Sequence, residues 1–365
     1  MNIKARFASQ LINLKQFGSF FPASQVVRDI FLLPWDIFKS SGSSRKWPSI
    51  LNINLTTRCN LKCEVCFAAD NSVPKEKELS LEEIKSLIDQ AAPYRTGIFF
   101  SGGEPLIRGD IVEMVSAARA RNLACGLVTN GCMITESVAR DLVRAGINHI
   151  LISFFGEPEN HDQIVSVKGS FERGFAGLKI LATVMKPPGP MVNYIVTPKG
   201  ISDLPAFRQR LSQVGNCVLR ISHLNFLTRV EVEAQKRYWQ LHMGDAPLEI
   251  HSYVLAPLPE TMSHVIDSLL DTQGKGILTK PILNDEEVRL WYADRFVPDR
   301  RCIFIWRSAF LNSDGTVYPC QFLYSPMGNI REKSMEEIWN GERYRRFRRL
   351  LRNGLMPGCS RCCKL

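Results

Sequence analysis

The chain of 365 residues has no 18-residue window of uncharged apolar residues. An ordinary membrane-spanning helix, which needs about 20 such residues, is therefore not expected. The first residues lack a compact apolar core with a small-residue cleavage site, so a secretory leader is not expected either. Lys and Arg outnumber Asp and Glu by 46 to 36. No segment interleaves aromatic with basic side chains, and no nucleic-acid motif is present, so no nucleic-acid partner is expected. These absences predict a cytoplasmic protein in a reducing compartment. There, cysteines read as metal ligands before they read as disulfides.

Cysteine is abundant, with eleven residues. Cys59, Cys63 and Cys66 fall at C-x3-C-x2-C, directly after the alternating apolar run Ile50 to Leu55. Thiolates are soft ligands suited to iron–sulfur clusters or zinc. Three on one loop can hold three corners of a cubane cluster and leave the fourth iron open. Chance gives such a triplet in about one chain in a hundred of this composition, which is too rarely to explain it.

A second set lies near the C-terminus. Cys302 is followed by Gly315 and Cys320 as C-x12-G-x4-C, and residues 310–319 read as a hairpin turning at Asp314-Gly315. Cys359-x2-Cys362 follows, with Cys363 beside it. Four thiolates from a hairpin and a distant turn can enclose one cluster or one zinc ion, and spacing leaves both open. Cys125 and Cys217 sit in strand-like runs and read as core, while Cys132 adjoins a Thr129-Asn130-Gly131 turn.

Between residues 48 and 225, strand-like and helix-like patterns alternate. Strands are predicted at 50–55, 97–100, 124–128, 149–153, 191–196 and 217–221. Helices are predicted near 80–91, 111–120, 137–146, 171–185 and 204–214, the first with Ser80 and Glu83 placed for a capping box. This rhythm predicts a parallel α/β barrel or half-barrel. Functional groups then gather at the C-terminal strand ends. Those ends carry Gly102-Gly103-Glu104-Pro105, Thr129-Asn130, Ser153 with Glu157, Asn193 with Thr197, and Arg220 with His223. Residues 1–47 are apolar and basic, punctuated by Pro22 and Pro34, and predict an amphipathic helical extension. Packing on the barrel and resting on a membrane surface or greasy substrate are both open to it. Ser40 to Ser44 reads as a polar linker. Net charge is concentrated at the two ends, and residues 341–365 hold eight basic residues against Glu342.

C-x3-C-x2-C after a first strand, with Ser101-Gly-Gly-Glu-Pro105 about 35 residues on, resembles the radical S-adenosylmethionine (SAM) superfamily. The Cys302–Cys363 region, with Gly328-Asn-Ile330 and Ile338-Trp-Asn340, resembles its SPASM and twitch extensions. Two departures stand out. Val65 occupies the position before the third cysteine that is usually aromatic, with Phe67 after it. Phe154 or Phe155 replaces the Asp of a frequent Ser-x-Asp-Gly.

The resemblance implies a partial (β/α)6 TIM-like barrel at 48–225, a bridging or lid region at 226–300, and a β-hairpin plus helix auxiliary-cluster module at 301–365. It implies two [4Fe–4S] clusters, one on Cys59, Cys63 and Cys66, the other on Cys302, Cys320, Cys359 and Cys362, with Cys363 the alternative to Cys362. SAM would be held by Phe67, Gly102, Gly103, Glu104, Pro105, Thr129, Asn130, Ser153 and Asn193. Glu157, Arg220 and His223 would meet substrate. The implied activity is reductive cleavage of SAM and hydrogen abstraction from a natural-product, lipid or peptide substrate, with the second cluster for electron transfer. An acidic flavodoxin- or ferredoxin-type protein would donate electrons, and the N-terminus would allow peripheral membrane contact. The rival expectation is a non-catalytic iron–sulfur or zinc scaffold.

Overall fold

Apolar residues at alternate positions of six short segments set the architecture of this computed structural model. It describes residues 41–66, 72–244, 246–250, 253–254, 278–293, 300–352 and 354–364, together with Ile37, Val265 and 267–269. The strands β1 (Ile50–Asn54), β2 (Gly97–Ser101), β3 (Cys125–Thr129), β4 (His149–Phe154), β5 (Met191–Ile195) and β6 (Val218–Ser222) lie within a residue of the predicted spans. They pair in parallel and in sequence order. One face of each strand turns outward into the helical layer, burying Ile53, Ile98, Phe100, Ile150, Ile152, Val192, Tyr194 and Ile221 completely. The other face lines the barrel interior and is more polar, with Asn54, Ser101, Ser153, Asn193, Arg220 and Ser222 in register.

The crossover helices are α1 (Leu81–Ala91), α2 (Ile111–Ala120), α3 (Glu136–Arg144), α4 (Pro158–Val165), α5 (Ser170–Val184) and α6 (Leu204–Ser212). Ser80 and Glu83 form the expected reciprocal cap on α1. Gly146, at φ +87°, closes the turn after α3 in the left-handed conformation that glycine adopts cheaply. Helix α4 escapes the sequence pattern because only His161, Ile164 and Val165 of its eight residues are buried.

The sheet does not end at the sixth strand. A strand from the bridging region, β7 (Leu278–Lys280), adds in parallel to β6. On the far edge the predicted hairpin, β8 (Ser308–Leu311) and β9 (Thr316–Tyr318), joins the barrel, because β8 runs parallel to β1 with Asn52 opposite Phe310. β10 (Gly328–Asn329) completes a ten-stranded sheet ordered β7-β6-β5-β4-β3-β2-β1-β8-β9-β10. The second cysteine set is thereby fixed to the strand that launches the first. Helices α7 (Arg229–Met243), α8 (Asp285–Trp291), α9 (Phe304–Arg307), α10 (Met335–Trp339) and α11 (Glu342–Arg352) cover the C-terminal part.

Most of the N-terminal segment, including its amphipathic stretch, lies outside the described residues. The described part of the predicted linker is packed rather than free. The backbone N–H of Ser44 donates to Asn340, and the carbonyl of Arg45 accepts from Trp339 and Asn340. Trp47 stacks on Tyr94 at 5.2 Å.

Candidate active site and cluster centres

The loop carrying Cys59, Cys63 and Cys66 leaves β1 at the barrel mouth and is held by its neighbours' backbone. The N–H of Gly103 donates to the Thr56 carbonyl at 2.8 Å, and that of Glu104 to Arg58 at 2.9 Å. Lys62 and Glu64 donate to Val165 and Ile164 at the end of α4. A Cβ on Gly102 would fall on the Thr56 carbonyl, and one on Gly103 on the Arg58 carbonyl. These glycines therefore serve the close approach of two loops. The carbonyls of Gly102 and Gly103 accept no hydrogen bond among the described residues and remain available to an amine.

Glu104 is fully buried. Its carboxylate accepts from Thr129 Oγ1 (2.7 Å), the Asn130 N–H (2.8 Å) and the Leu106 N–H (3.1 Å). Burial pushes its pKa up, and these three bonds oppose the rise. Asn130 also donates to Asn60 at 2.7 Å and accepts from the Cys132 N–H. The hydroxyl of Thr129 and the amide of Asn130, expected to hold SAM, are here engaged in tying the ends of β2 and β3 to the cysteine loop. Buried Pro105 opens the short turn that follows. Phe67 lies outside the described residues.

The remaining candidates separate. Ser153 is half-buried on the interior face, with its hydroxyl unbonded among the described residues. Asn193 accepts from Arg220 Nε (2.9 Å) and Ser222 Oγ (2.6 Å) on the same face. Glu157 is turned away from the mouth. It pairs with Arg210 of α6 at 2.6 Å, under a guanidinium that also covers Phe171 and Phe175. His223 is buried against Trp291 and Tyr292, with Nδ1 3.1 Å from the Tyr292 hydroxyl. Burial pushes its pKa down to about 3, so it is a neutral core residue. Phe154 fills a buried aromatic group with His161, Phe171, Phe175 and Phe207, which explains why an apolar residue stands there.

Two site residues had no signal in the sequence. Glu78, almost completely buried, pairs with Arg58 inside the cysteine loop at 3.2 Å and accepts from Thr56. Arg108 donates to the carbonyls of Leu79 and Leu55 and pairs with Asp110. Both brace the start of the loop from residues far outside the motif.

The donor set fits a cluster. Cys59, Cys63 and Cys66 are free thiols, the first and third exposed and the second half-buried. Burial, then Cys66 and Cys59, push Cys63 up to about 12. Thiolates this close repel one another unless a cation lies between them. The Leu61 N–H points at the Cys59 sulfur at 3.4 Å. In the second set, Cys359 lies within electrostatic reach of Cys302 and Cys320, and Cys362 within reach of Cys302. Backbone N–H groups donate to Cys320 from Leu323 and to Cys362 from Lys364. Such N–H···S bonds are among the terms that tune a cluster's potential. Phe304, Phe310, Tyr318 and Tyr324 pack against the half-buried Cys302 and Cys320. Among the described residues no three of His, Cys, Asp or Glu are gathered as a single-ion site.

The two neighbouring thiols are hydrogen-bonded to each other, and Cys362 lies within reach of Cys302. Cys363 sits near Lys364, Lys280 and Arg220, and Gln321 donates to its sulfur at 3.6 Å. The turn carrying Cys359 and Cys362 is set by α7. Glu231 pairs with buried Arg361 and accepts from Ser360, and Gln235 accepts from the Gly358 N–H at 2.9 Å.

Residues 53–205 match the radical SAM superfamily, and residues 302–363 match the SPASM iron–sulfur cluster-binding domain. The chain belongs to the radical SAM superfamily. It is an enzyme whose cofactors are SAM and [4Fe–4S] clusters, in the radical SAM and SPASM regions. Over 347 residues it is 26% identical to the Fe-coproporphyrin III synthase of Methanosarcina barkeri, covering 84% of this chain and 80% of that one. It is 27% identical to the PqqA peptide cyclase of Gluconobacter oxydans, covering 80% and 76%. The fold matches Streptococcus suis SuiB bound to the precursor peptide SuiA with a TM-score of 0.56 at 16% identity, over 88% of this chain and 70% of that one. No helix among the described residues is long and apolar enough to cross a membrane.

Proposed function

We propose that this radical SAM enzyme abstracts a hydrogen atom from an unactivated carbon of a peptide substrate seated in the barrel interior, opening the way to oxidation, epimerisation or cross-linking. The observation that carries the reading is the single sheet joining β1, which launches Cys59–Cys66, to β8, which follows Cys302. Substrate in the interior then lies between the two cysteine sets. When bound, SAM and the first cluster supply the 5′-deoxyadenosyl radical. The chain's own part is positional. Cys59, Cys63 and Cys66 hold the first cluster, and the free carbonyls of Gly102 and Gly103 receive the amino group of SAM. Ser153 and Asn193 face the ligand from the strand interior. Cys302, Cys320, Cys359 and Cys362 hold the auxiliary cluster, with Cys363, hydrogen-bonded to Cys362, the alternative to it. Four protein ligands leave no open iron, which assigns that cluster to electron transfer.

The peptide reading draws on the PqqA peptide cyclase relatives and on the likeness to a peptide-bound fold. A tetrapyrrole is the second reading, favoured by the relatives named Fe-coproporphyrin III synthase and AdoMet-dependent heme synthase. A panel of deuterated peptides and porphyrins separates them. Label should appear in 5′-deoxyadenosine with a peptide. Transfer from a porphyrin alone selects the second reading, and transfer from neither contradicts both.

A further inference from the structure

One side of the barrel interior carries fixed positive charge. Strand register places Asn193 of β5 beside Arg220 of β6, and Lys280 of β7 beside Ser222. Side chains two apart share a strand face, so Arg220, Ser222 and Lys280 stand together on the interior. Both cations are half-buried. Arg220 spends only Nε, on Asn193, and among the described residues it has no carboxylate partner and no bond from its two terminal nitrogens. Asn193 is itself fixed by Ser222, so the guanidinium is held with its open fork directed away from that contact. Across from it lies the last turn of the chain, with Cys363 and Lys364. The Cys363 sulfur accepts from Gln321, is hydrogen-bonded with Cys362, and lies within electrostatic reach of both cations. Deeper on the same face, burial and then Arg220 and Lys280 push the His149 pKa down to about 3, so both cations reach one shared space.

Withdrawing a guanidinium from water is costly unless an anion joins it. A guanidinium with two free parallel donors matches the two oxygens of a carboxylate. We propose that Arg220, supported by Lys280, binds a carboxylate of the substrate and so fixes which carbon faces the cofactor. This rests on the barrel interior being the substrate site, as proposed above. The carboxylate can come from a peptide side chain or from a tetrapyrrole propionate.

The test uses the full chain with reconstituted clusters and four probes. These are a peptide with one central glutamate, its glutamine twin, coproporphyrin III, and its tetramethyl ester. At least one acid should bind ten times or more tighter than its neutral twin, and which one identifies the source. Arg220→Gln should abolish that preference, and Arg220→Lys, which keeps charge without the fork, should restore part of it. Lys280→Met should weaken it. SAM affinity should stay unchanged throughout. The proposal is overturned if neither acid is preferred, if Arg220→Gln keeps the preference, or if that variant loses SAM instead, which would give Arg220 to the cofactor's own carboxylate. Release of 5′-deoxyadenosine by the parent chain is read separately. Its absence alongside an intact acid preference would count against the enzyme reading and leave this one standing.

Discussion

Glu231 and Arg361 form a contact on which one cluster site depends. The Arg361 side chain is fully buried between Cys359 and Cys362, and the guanidinium lies 4.5 Å above Phe226. Removing one partner of such a pair leaves a buried charge uncompensated, at a cost of about 3–5 kcal/mol. Glu231→Ala should therefore release the turn carrying both cysteines. Iron analysis should find the variant falling from about eight irons per chain toward about four, with the first cluster retained. An unchanged iron content would show that the turn is held by other means. None of this was legible in the sequence, because Glu231 and Arg361 are 130 residues apart and each is an ordinary charged residue until folding pairs them. The cysteines were legible because a cluster demands several thiols at short spacing. Glu104 was legible as a site residue from its Gly-Gly-Glu-Pro setting. Two of its three hydrogen bonds were not, since Thr129 and Asn130 come from the next strand end.

At the scale of elements, the close approach of two loops decides whether the mouth forms. A side chain on Gly103 would collide with the Arg58 carbonyl at the entrance to the cysteine loop. Gly103→Ala should lower cluster occupancy on Cys59, Cys63 and Cys66, and reduce SAM cleavage by at least tenfold. Gly109→Ala, where an added Cβ meets nothing within 4 Å, should match the parent in both assays. The parallel strands and most crossover helices could be read from period and punctuation, since each carries its own apolar pattern. The extension of the sheet could not. β8 pairs with β1 across more than 250 residues, and β7 is three residues long in a stretch whose rhythm is irregular. Pairing of that kind depends on where the barrel edges fall, which no local pattern states.

For the whole molecule, the question is how firmly the C-terminal module is joined to the barrel. Besides the β1–β8 ladder, Arg331 pairs with Glu83 of α1 at 2.6 Å and donates to the Lys77 carbonyl. The hydrogen bond from Arg331 holds Glu83 down at about 2, below its usual value near 4.5. A depressed carboxylate contributes stability above its unfolded pKa and loses it as pH falls toward the folded value. Arg331→Ala should thus cost at most about 1 kcal/mol near neutral pH, given its partial exposure. The difference from the parent should shrink as pH drops below about 4.5 in denaturant titrations. A difference that grew on acidification would exclude the pair as its source.

The central claim is that one folded unit holds two clusters, and that the first of them cleaves SAM. Iron content and 5′-deoxyadenosine release, measured together on anaerobically reconstituted protein, test it most directly. The parent should carry about eight irons and release 5′-deoxyadenosine under reduction. Cys63→Ala should release none, and Cys359→Ala combined with Cys362→Ala should keep about four irons and still cleave SAM. Zinc in place of iron with no turnover, or an iron content unmoved by the double substitution, would contradict the account.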